Sequence, residues 1–276
     1  MGRRFAQLDV FSATPYLGNP LAVVLDADGL STDEMARFAR WMNLSETTFV
    51  LPPDDPAADY RVRIFTPVQE LPFAGHPTIG TCQAWLQAGG APRQPDAIVQ
   101  QCGAGPIELR RVDGRLAFAA PPLRHSGPAD PATIGRIAAA LRIDAGEVVA
   151  AEWVDNGPGW VAALLRDAEA VLALRPGYVD FDLGVVGPYP PGSPFAFEVR
   201  AFFPKDGATV EDPVTGSLNG SLGQWLVASG RATLPYVASQ GAALGRAGRV
   251  YVSGSGAADI WIGGDAVARV TGEVDL

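Results

Sequence analysis

The chain has 276 residues, 47% of them hydrophobic and 18% charged, with a net charge of −9 at pH 7. This composition excludes a mainly disordered chain, and the length predicts one large or two medium domains with an ample core. The acidic balance excludes a broad basic surface, so we expect neither nucleic acid nor a membrane as a partner. An anionic ligand would have to be bound by local groups.

The chain has only two cysteines and two histidines. Cys82 and Cys102 form no CxxC pair and no HExxH motif is present, so we expect no metal site. Two scattered thiols indicate a reducing compartment. No apolar segment resembles a signal peptide or approaches the ~20 residues of a membrane span, and we therefore expect a cytoplasmic protein.

Strand and helix signals follow one another at short spacing. Alternating or short apolar segments predict strands at Phe5–Phe11, Leu21–Leu25, Phe49–Leu51 and Tyr60–Phe65. Between the second and third of these, Ser31 and Glu34 form a capping-box pattern, which predicts a helix that ends near Asn43. A second helix is predicted to begin at Asp130-Pro131. The proline-rich stretch 117–127 is the predicted crossover, and Cys102 is placed at the start of a strand.

Three blocks of sequence occur twice in the same order. Arg63-Ile-Phe-Thr-Pro67 returns as Arg200-Ala-Phe-Phe-Pro204, an offset of 200 − 63 = 137. Glu70-Leu-Pro-Phe-Ala-Gly-His76 returns as Glu211-Asp-Pro-Val-Thr-Gly-Ser217, and Trp85-Leu86 returns as Trp225-Leu226. The repeat predicts two homologous halves, each with a strand, a proline-containing loop, a glycine turn and a helix.

Each repeated turn leads into the N-terminus of a helix. Gly75-His76 precedes Pro77 in the first copy, and Gly216-Ser217 opens the helix of the second copy, which is predicted to run to about Ala228. Free N–H groups and a partial positive charge at helix N-termini bind carboxylates, so two such ends facing one another would clamp a small anion. Ordinary helix capping at both places is the alternative.

Three polar residues near these turns are candidates for proton transfer. His76 is expected to be partly exposed and neutral beside a helix N-terminus. Asp212 stands where the first copy has the apolar Leu71. Glu46, among apolar neighbours, suits a general acid or base, although a surface glutamate at a strand start is the alternative. Asn19 is a turn residue first and a ligand contact second.

These motifs resemble those of the PhzF family, phenazine-biosynthesis-type isomerases with the diaminopimelate epimerase-like fold. The resemblance extends nearly end to end. It is carried by Asp9-Val-Phe11, Gly18-Asn-Pro20, Ser45-Glu-Thr47, Phe65-Thr-Pro67, Glu70-Leu-Pro-Phe-Ala-Gly-His-Pro77, Glu211-Asp-Pro-Val-Thr-Gly-Ser217 and Gln240-Gly with Gly245-Arg246.

The resemblance implies an α+β fold of two homologous halves, each a curved, largely antiparallel sheet around a central helix, with a ligand cleft between them. The implied halves are residues 1–120 and 121–276, and a C-terminal strand at about 270–276 returns to the first half. The resemblance also implies a homodimer that uses no cofactor and no metal.

The resemblance implies a cofactor-independent isomerase of a small cyclic or unsaturated carboxylic acid. Its implied catalytic residues are Glu46, which moves a proton, with His76 and Asp212. The implied substrate-binding residues are Asn19, Gly75, Gly216 and Ser217. Related racemases carry a thiol in each half, and Ala74 and Thr215 occupy those positions here. A racemase or epimerase with a non-thiol pair and a non-catalytic acid-binding or interaction protein are the alternatives.

Overall fold

The computed structural model describes residues 2–276, and its strands and helices are numbered here in chain order. The strands are β1 (Gly2–Val10), β2 (Asn19–Val24), β3 (Glu46–Leu51), β4 (Tyr60–Phe65), β5 (Glu70–Leu71), β6 (Ile98–Cys102), β7 (Gly105–Val112), β8 (Arg115–Ala119), β9 (His125–Pro128), β10 (Ala150–Asp155), β11 (Val161–Leu164), β12 (Leu183–Pro188), β13 (Phe197–Lys205), β14 (Ala208–Asp212), β15 (Tyr236–Gln240), β16 (Gly248–Gly256), β17 (Asp259–Gly264) and β18 (Ala266–Asp275). The helices are α1 (Thr32–Met42), α2 (Gly75–Gln87), α3 (Pro131–Leu141), α4 (Ala168–Ala173) and α5 (Gly216–Ala228).

The chain forms two compact units. Unit 1 comprises Met1–Ala119 together with Gly263–Leu276, and unit 2 comprises Ala120–Ile262. The returning segment contains β18, which pairs antiparallel with β1 along most of its length. No helix in residues 2–276 is long and apolar enough to cross a membrane.

In unit 1, the pairing order along the sheet is β18, β1, β2, β3, β4, β6, β7 and β8, and β5 pairs with the free end of β4. The β2–β3 and β4–β6 pairs are parallel and the others are antiparallel. Helix α2 packs against β1, β2, β3 and β8.

Unit 2 repeats this arrangement. Its strand order is β9, β10, β11, β12, β13, β15 and β16, with β14 beside β13. The parallel pairs are β11–β12 and β13–β15, which correspond to β2–β3 and β4–β6 of unit 1. Helix α5 packs against β10 and β16. The predicted α+β class with two homologous, largely antiparallel halves is therefore confirmed.

The two central helices are buried on nearly all sides, which explains their weakly amphipathic sequences. Glycine lets α2 approach the sheet closely, because a Cβ on Gly80 would lie 2.5 Å from Leu21 Cδ2 and 2.8 Å from Val10 Cγ2. The peripheral helix α1 has the predicted capping box between Ser31 and Glu34, and it ends at Asn43 in the left-handed region at φ 52°.

Several local predictions need correction. The boundary between the units, after Ala119, lies within the predicted crossover 117–127, but the stretch is not all loop, because Ala119 ends β8 and His125 begins β9. Cys102 ends β6 instead of starting a strand, since Gly105 reverses the chain with φ 103°. Helix α2 begins two residues before Pro77, and β18 begins at Ala266. Cys82 is a buried core residue, as predicted.

Candidate active site

The strands that lead to both central helices carry a duplicated ion pair. Arg63 Nε and Nη2 donate to the two Glu70 carboxylate oxygens at 2.7 and 2.6 Å. Arg200 binds Glu211 in the same two-pronged way at 2.9 and 2.7 Å. The first glutamate of each repeated motif therefore fixes the loop to its strand and is not available for proton transfer.

Three predicted residues of unit 1 lie together at the start of α2. Glu46 is the first residue of β3, Asn19 is the first residue of β2, and His76 is in the first turn of the helix. His76 Nε2 lies 3.4 Å from Glu46 Oε2, and His76 Nδ1 lies 3.3 Å from Asn19 Nδ2. Parallel pairing of β2 with β3 brings these strand starts side by side.

The protonation state of His76 follows from its surroundings. Its side chain is 4% exposed, and burial lowers its pKa to about 3, so the ring is neutral at neutral pH. The ring is neutral, as predicted, but the cause is burial. The prediction that His76 is partly exposed is wrong. Since Nδ1 accepts a hydrogen from the Asn19 amide, the ring proton is on Nε2, which faces Glu46.

Asp9 holds the loop that presents Asn19. Its two carboxylate oxygens accept from the backbone N–H groups of Leu17 and Gly18 at 3.1 and 2.8 Å. Glycine is required next to Asn19, because a Cβ on Gly18 would overlap the Val10 carbonyl oxygen and lie 2.6 Å from Asp9 Oδ1. Asp9 is thus a positioning residue, which sequence reasoning had noted only as part of a family motif.

In unit 2, a polar network fixes the residues before α5. Asp212 ends β14, and its carboxylate accepts from Thr215 Oγ1 at 2.7 Å. Gln240 accepts from the Thr215 backbone N–H and the Asn219 amide, and it donates to Thr215 Oγ1. All the donors in this cluster are paired with named acceptors, which holds Asp212 and the helix start in a fixed arrangement.

Ser217 is the second residue of α5 and is held by aromatic and amide donors. Trp160 Nε1 donates to Ser217 Oγ at 3.2 Å, and Asn156 Nδ2 donates to the Ser217 carbonyl oxygen at 2.9 Å. Asp155 fixes their loop by accepting from the backbone N–H groups of Gly157 and Gly159. Sequence reasoning saw only a turn at 157–160 and missed the tryptophan contact.

The two helix starts have no side-chain cap. Neither Ala74 before α2 nor Thr215 before α5 makes the side-chain hydrogen bond of an N-cap. Ordinary side-chain capping was the alternative explanation for both repeats. It therefore does not account for the spacing that the two repeated motifs share. Gly75 and Gly216 are the first residues of the two helices, where the backbone N–H groups of the first turn have no partner within the helix, and both glycines are buried.

Thiol chemistry has no support in either unit. Ala74 and Thr215 carry no sulfur, and both cysteines are buried. Burial raises the pKa of Cys82 to about 12, so its thiol is not ionised at neutral pH. Among residues 2–276, no three His, Cys, Asp or Glu side chains group closely enough to hold a metal ion.

Comparisons with known proteins agree with this arrangement. The family described as phenazine biosynthesis-like protein, PhzC-PhzF, matches residues 8–272. The trans-2,3-dihydro-3-hydroxyanthranilate isomerase of Pseudomonas aeruginosa is 37% identical over 93% of this chain and 92% of its own length. A fission yeast protein, Antisense-enhancing sequence 1 of Schizosaccharomyces pombe, is 37% identical over 98% of this chain and 97% of its own.

A solved structure shares the fold. The phenazine biosynthesis protein of the PhzF family from Bacillus anthracis aligns over 100% of both chains with a TM-score of 0.82, at 24% sequence identity. The fold, the duplicated motifs and the end-to-end match all lead to the same assignment. The chain belongs to the phenazine biosynthesis-like (PhzF) family.

Proposed function

We propose that this protein is a cofactor-independent isomerase that moves a proton on a small cyclic or unsaturated carboxylic acid. The observation that carries the proposal is the alignment of Asn19, His76 and Glu46, with the His76 Nε2 3.4 Å from the Glu46 carboxylate. A carboxylate beside a buried, neutral imidazole is a suitable general base, and in its protonated form a general acid.

In this proposal Glu46 takes a proton from a carbon of the substrate and returns it to another. His76 stays neutral and donates from Nε2, either to the Glu46 carboxylate or to charge that develops on the substrate. The Asn19 amide fixes that tautomer by donating to His76 Nδ1. Asp9 acts indirectly, since it positions the Asn19 loop.

The start of α5 is proposed to bind the substrate carboxylate. Ser217 Oγ accepts from Trp160, so its own O–H is left to donate to an anion. The uncapped N–H groups at Gly216 and the partial charge of a helix start add further attraction, as do those at Gly75 in α2. Asp212, held by Thr215, is proposed to orient or polarise the substrate.

The 37% identity to a trans-2,3-dihydro-3-hydroxyanthranilate isomerase supports this reaction class and supplies a first probe. We would incubate the protein in D2O with that acid and with a panel of small unsaturated acids, selected by thermal shift. Deuterium entering a bound acid supports the proposal. Glu46→Gln should bind the same acid and lose about 100-fold or more of the exchange rate.

Glu108→Gln is the matched control, because Glu108 is an exposed glutamate on β7. It should exchange deuterium as the wild type does. Binding without exchange for every acid that shifts the melting temperature would favour a non-catalytic binding protein instead. Inversion of a stereocentre without movement of a double bond would favour the non-thiol racemase.

A further inference from the structure

A chain of buried hydroxyl groups lies behind the Glu46–His76 pair in unit 1. Thr48 Oγ1 and Thr81 Oγ1 are 2.8 Å apart, and Thr48 Oγ1 also donates to the carbonyl oxygen of Ala22 at 3.4 Å. A hydroxyl has one hydrogen, so Thr81 is the donor in its bond with Thr48. Both threonines are fully buried. The hydroxyl chain therefore joins α2 to β3 and β3 to β2.

The three elements joined by this hydroxyl chain carry the three residues of the candidate site in unit 1. Glu46 lies two residues before Thr48 on β3, and strand alternation places both side chains on the α2 side of the sheet. His76 lies five residues before Thr81 on α2, and Asn19 begins β2. A displacement of α2 relative to β3 would stretch the threonine bond and the imidazole–carboxylate contact together.

Unit 2 shares a different tether of its central helix with unit 1. Helices α2 and α5 have 13 residues each, so position 78 of the first matches position 219 of the second. Thr78 Oγ1 donates to the Ala74 carbonyl oxygen, and Asn219 Nδ2 donates to the Thr215 carbonyl oxygen, each at 2.9 Å. A glutamine side chain bonds to each of these residues, at 3.0 Å in unit 1 and 2.8 Å in unit 2. A tether present in both units belongs to the fold.

The structure describes every residue of unit 2, and none of them repeats the threonine pair. The helix alignment matches Thr81 with Leu222. The strand register matches Thr48 with Gly184, because their partners on β4 and β13 are the middle residues of the repeated Arg-Ile-Phe and Arg-Ala-Phe segments. Leu218 fills the space beside Gly184, where a Cβ would lie 2.4 Å from Leu218 Cδ1. Apolar packing at this point is therefore sufficient for the architecture.

A hydrogen bond sets a distance more narrowly than an apolar contact does. The oxygen atoms of bonded hydroxyls lie about 2.5–3.0 Å apart, and the bond weakens when the angle departs from its preferred range. Apolar side chains of similar volume repack at little cost. A buried hydroxyl pair adds little net stability but is costly to separate, because each group would be left unpaired. Such a bond is suited to alignment more than to stability.

We propose that Thr48 and Thr81 are positioning residues that hold His76 Nε2 at its distance of 3.4 Å from the Glu46 carboxylate. The inference rests on the isomerase function proposed above and adds no chemical step to it, since the proton still leaves and returns through Glu46. Without the hydroxyl chain, α2 moves on β3 and the neutral imidazole no longer faces the carboxylate at the same distance. A misplacement of about 1 Å can cost about 100-fold in rate.

The experiment removes each hydroxyl while keeping the shape of the side chain. Thr48→Val and Thr81→Val lose the bond, and Thr48→Ser and Thr81→Ser keep it. With the acid that the wild type turns over, each valine variant should lose about 10- to 100-fold in kcat with a KM within about 3-fold. Each serine variant should stay within about 3-fold of the wild type. If Thr81→Val does not fold, Thr81→Ala takes its place, because alanine favours a helix.

The double variant Thr48→Val/Thr81→Val tests whether the two hydroxyls act as one pair. Either single substitution breaks the same bond. The double variant should therefore lose no more than about 3-fold in kcat beyond the larger single loss. Single losses that multiply in the double variant would overturn the inference, because they would show that the two residues act independently.

A control variant and a spectroscopic measurement separate geometry from stability. Thr209 Oγ1 in unit 2 makes two hydrogen bonds to the backbone of residues 177–179, at 2.8 and 2.9 Å. Thr209→Val should lower the urea unfolding midpoint and leave kcat unchanged. In a His125→Gln background His76 is the only histidine. Its Cε1–H NMR signal should move in Thr81→Val and stay in place in Thr81→Ser and Thr209→Val.

The outcomes separate this inference from the proposed function. A wild type that moves a proton on an acid, together with valine variants of unchanged kcat, overturns the inference and leaves the isomerase function standing. Equal losses in the valine and serine variants, or an equal loss in Thr209→Val, overturn it because they indicate packing or stability alone. A His76 signal that does not move in Thr81→Val overturns it as well. A wild type that exchanges no proton on any acid overturns both.

Discussion

His76 is one of two histidines in the chain, and the structure uses the two differently. His76 is buried between Asn19 and Glu46, whereas His125 is exposed on β9 and stacks on Trp153 with ring centroids 4.8 Å apart. Burial keeps the His76 ring neutral, with Nε2 facing Glu46. In the proposed reaction the ring is therefore a fixed donor and not a proton carrier.

This protonation state can be measured directly. The pKa of His76 of about 3 predicts that its ring resonances do not titrate between pH 5 and 8. The measurement is the 1H–13C NMR spectrum of the ring Cε1–H group across that range. The His125→Gln variant assigns the remaining signal to His76. A His76 signal that moves with a midpoint near 6.5 would show that the ring is not held neutral by burial.

The lowered pKa of His76 also makes the free energy of unfolding depend on pH. The unfolded chain binds a proton at His76 below about pH 6.5, whereas the folded chain does so only near pH 3. The stabilising contribution is therefore complete above pH 6.5 and is lost as the pH falls toward 3, at up to about 1.4 kcal/mol per pH unit. Urea unfolding should show a steeper loss of stability on acidification from pH 6.5 in the wild type than in His76→Gln.

At the scale of elements, close approach between α2 and its sheet holds His76 beside Glu46. We predict that Gly80→Ala destabilises the protein by about 1–3 kcal/mol, because its Cβ would press on Leu21 and Val10 and move the helix. Activity should fall with stability. Gly135→Ala in α3 has open space around it and should stabilise by about 0.5–1 kcal/mol. Urea unfolding midpoints test both, and equal effects would contradict the packing argument.

The sequence predicted elements where the signal is local. The capping box of α1 and the proline start of α3 are readable because their hydrogen bonds join residues three apart. The pairings of Asn19 with His76 and of Trp160 with Ser217 join residues 57 positions apart. No local pattern encodes such contacts. A fourth feature is also repeated: Asp9 and Asp155 each precede a glycine-containing loop. The segments around these two aspartates share too few identical residues for the repeat to be recognised from the sequence.

At the scale of the whole molecule, the two units keep one architecture and differ in chemistry. The repeated Arg–Glu pair is retained in both, but the His76 position of unit 1 carries Ser217 in unit 2. The repeat is visible in the sequence because the ion pair and the glycine turn require the same residue types in both units. The register equivalence of Leu183 in unit 2 with Thr47 in unit 1 was not predicted, because strand register is visible only after folding.

The duplicated pairs also differ in burial, which gives a prediction. Arg200 and Glu211 side chains are 5% and 11% exposed, and those of Arg63 and Glu70 are 23% and 39% exposed. Arg200 also donates to the Val171 and Leu174 carbonyl oxygens. Glu211→Gln should therefore destabilise by about 3–5 kcal/mol, and Glu70→Gln by about 1 kcal/mol or less. Equal shifts in urea unfolding would show that burial does not set the difference.

We propose that Glu46 moves the substrate proton, with His76 beside it as a fixed donor. The most direct test of this proposal is the deuterium content of the product formed in D2O by wild type and by Glu46→Gln, measured by mass spectrometry at equal occupancy of the bound acid. We expect deuterium at a substrate carbon with the wild type and about 100-fold slower incorporation with Glu46→Gln. Incorporation at the wild-type rate by Glu46→Gln would contradict it.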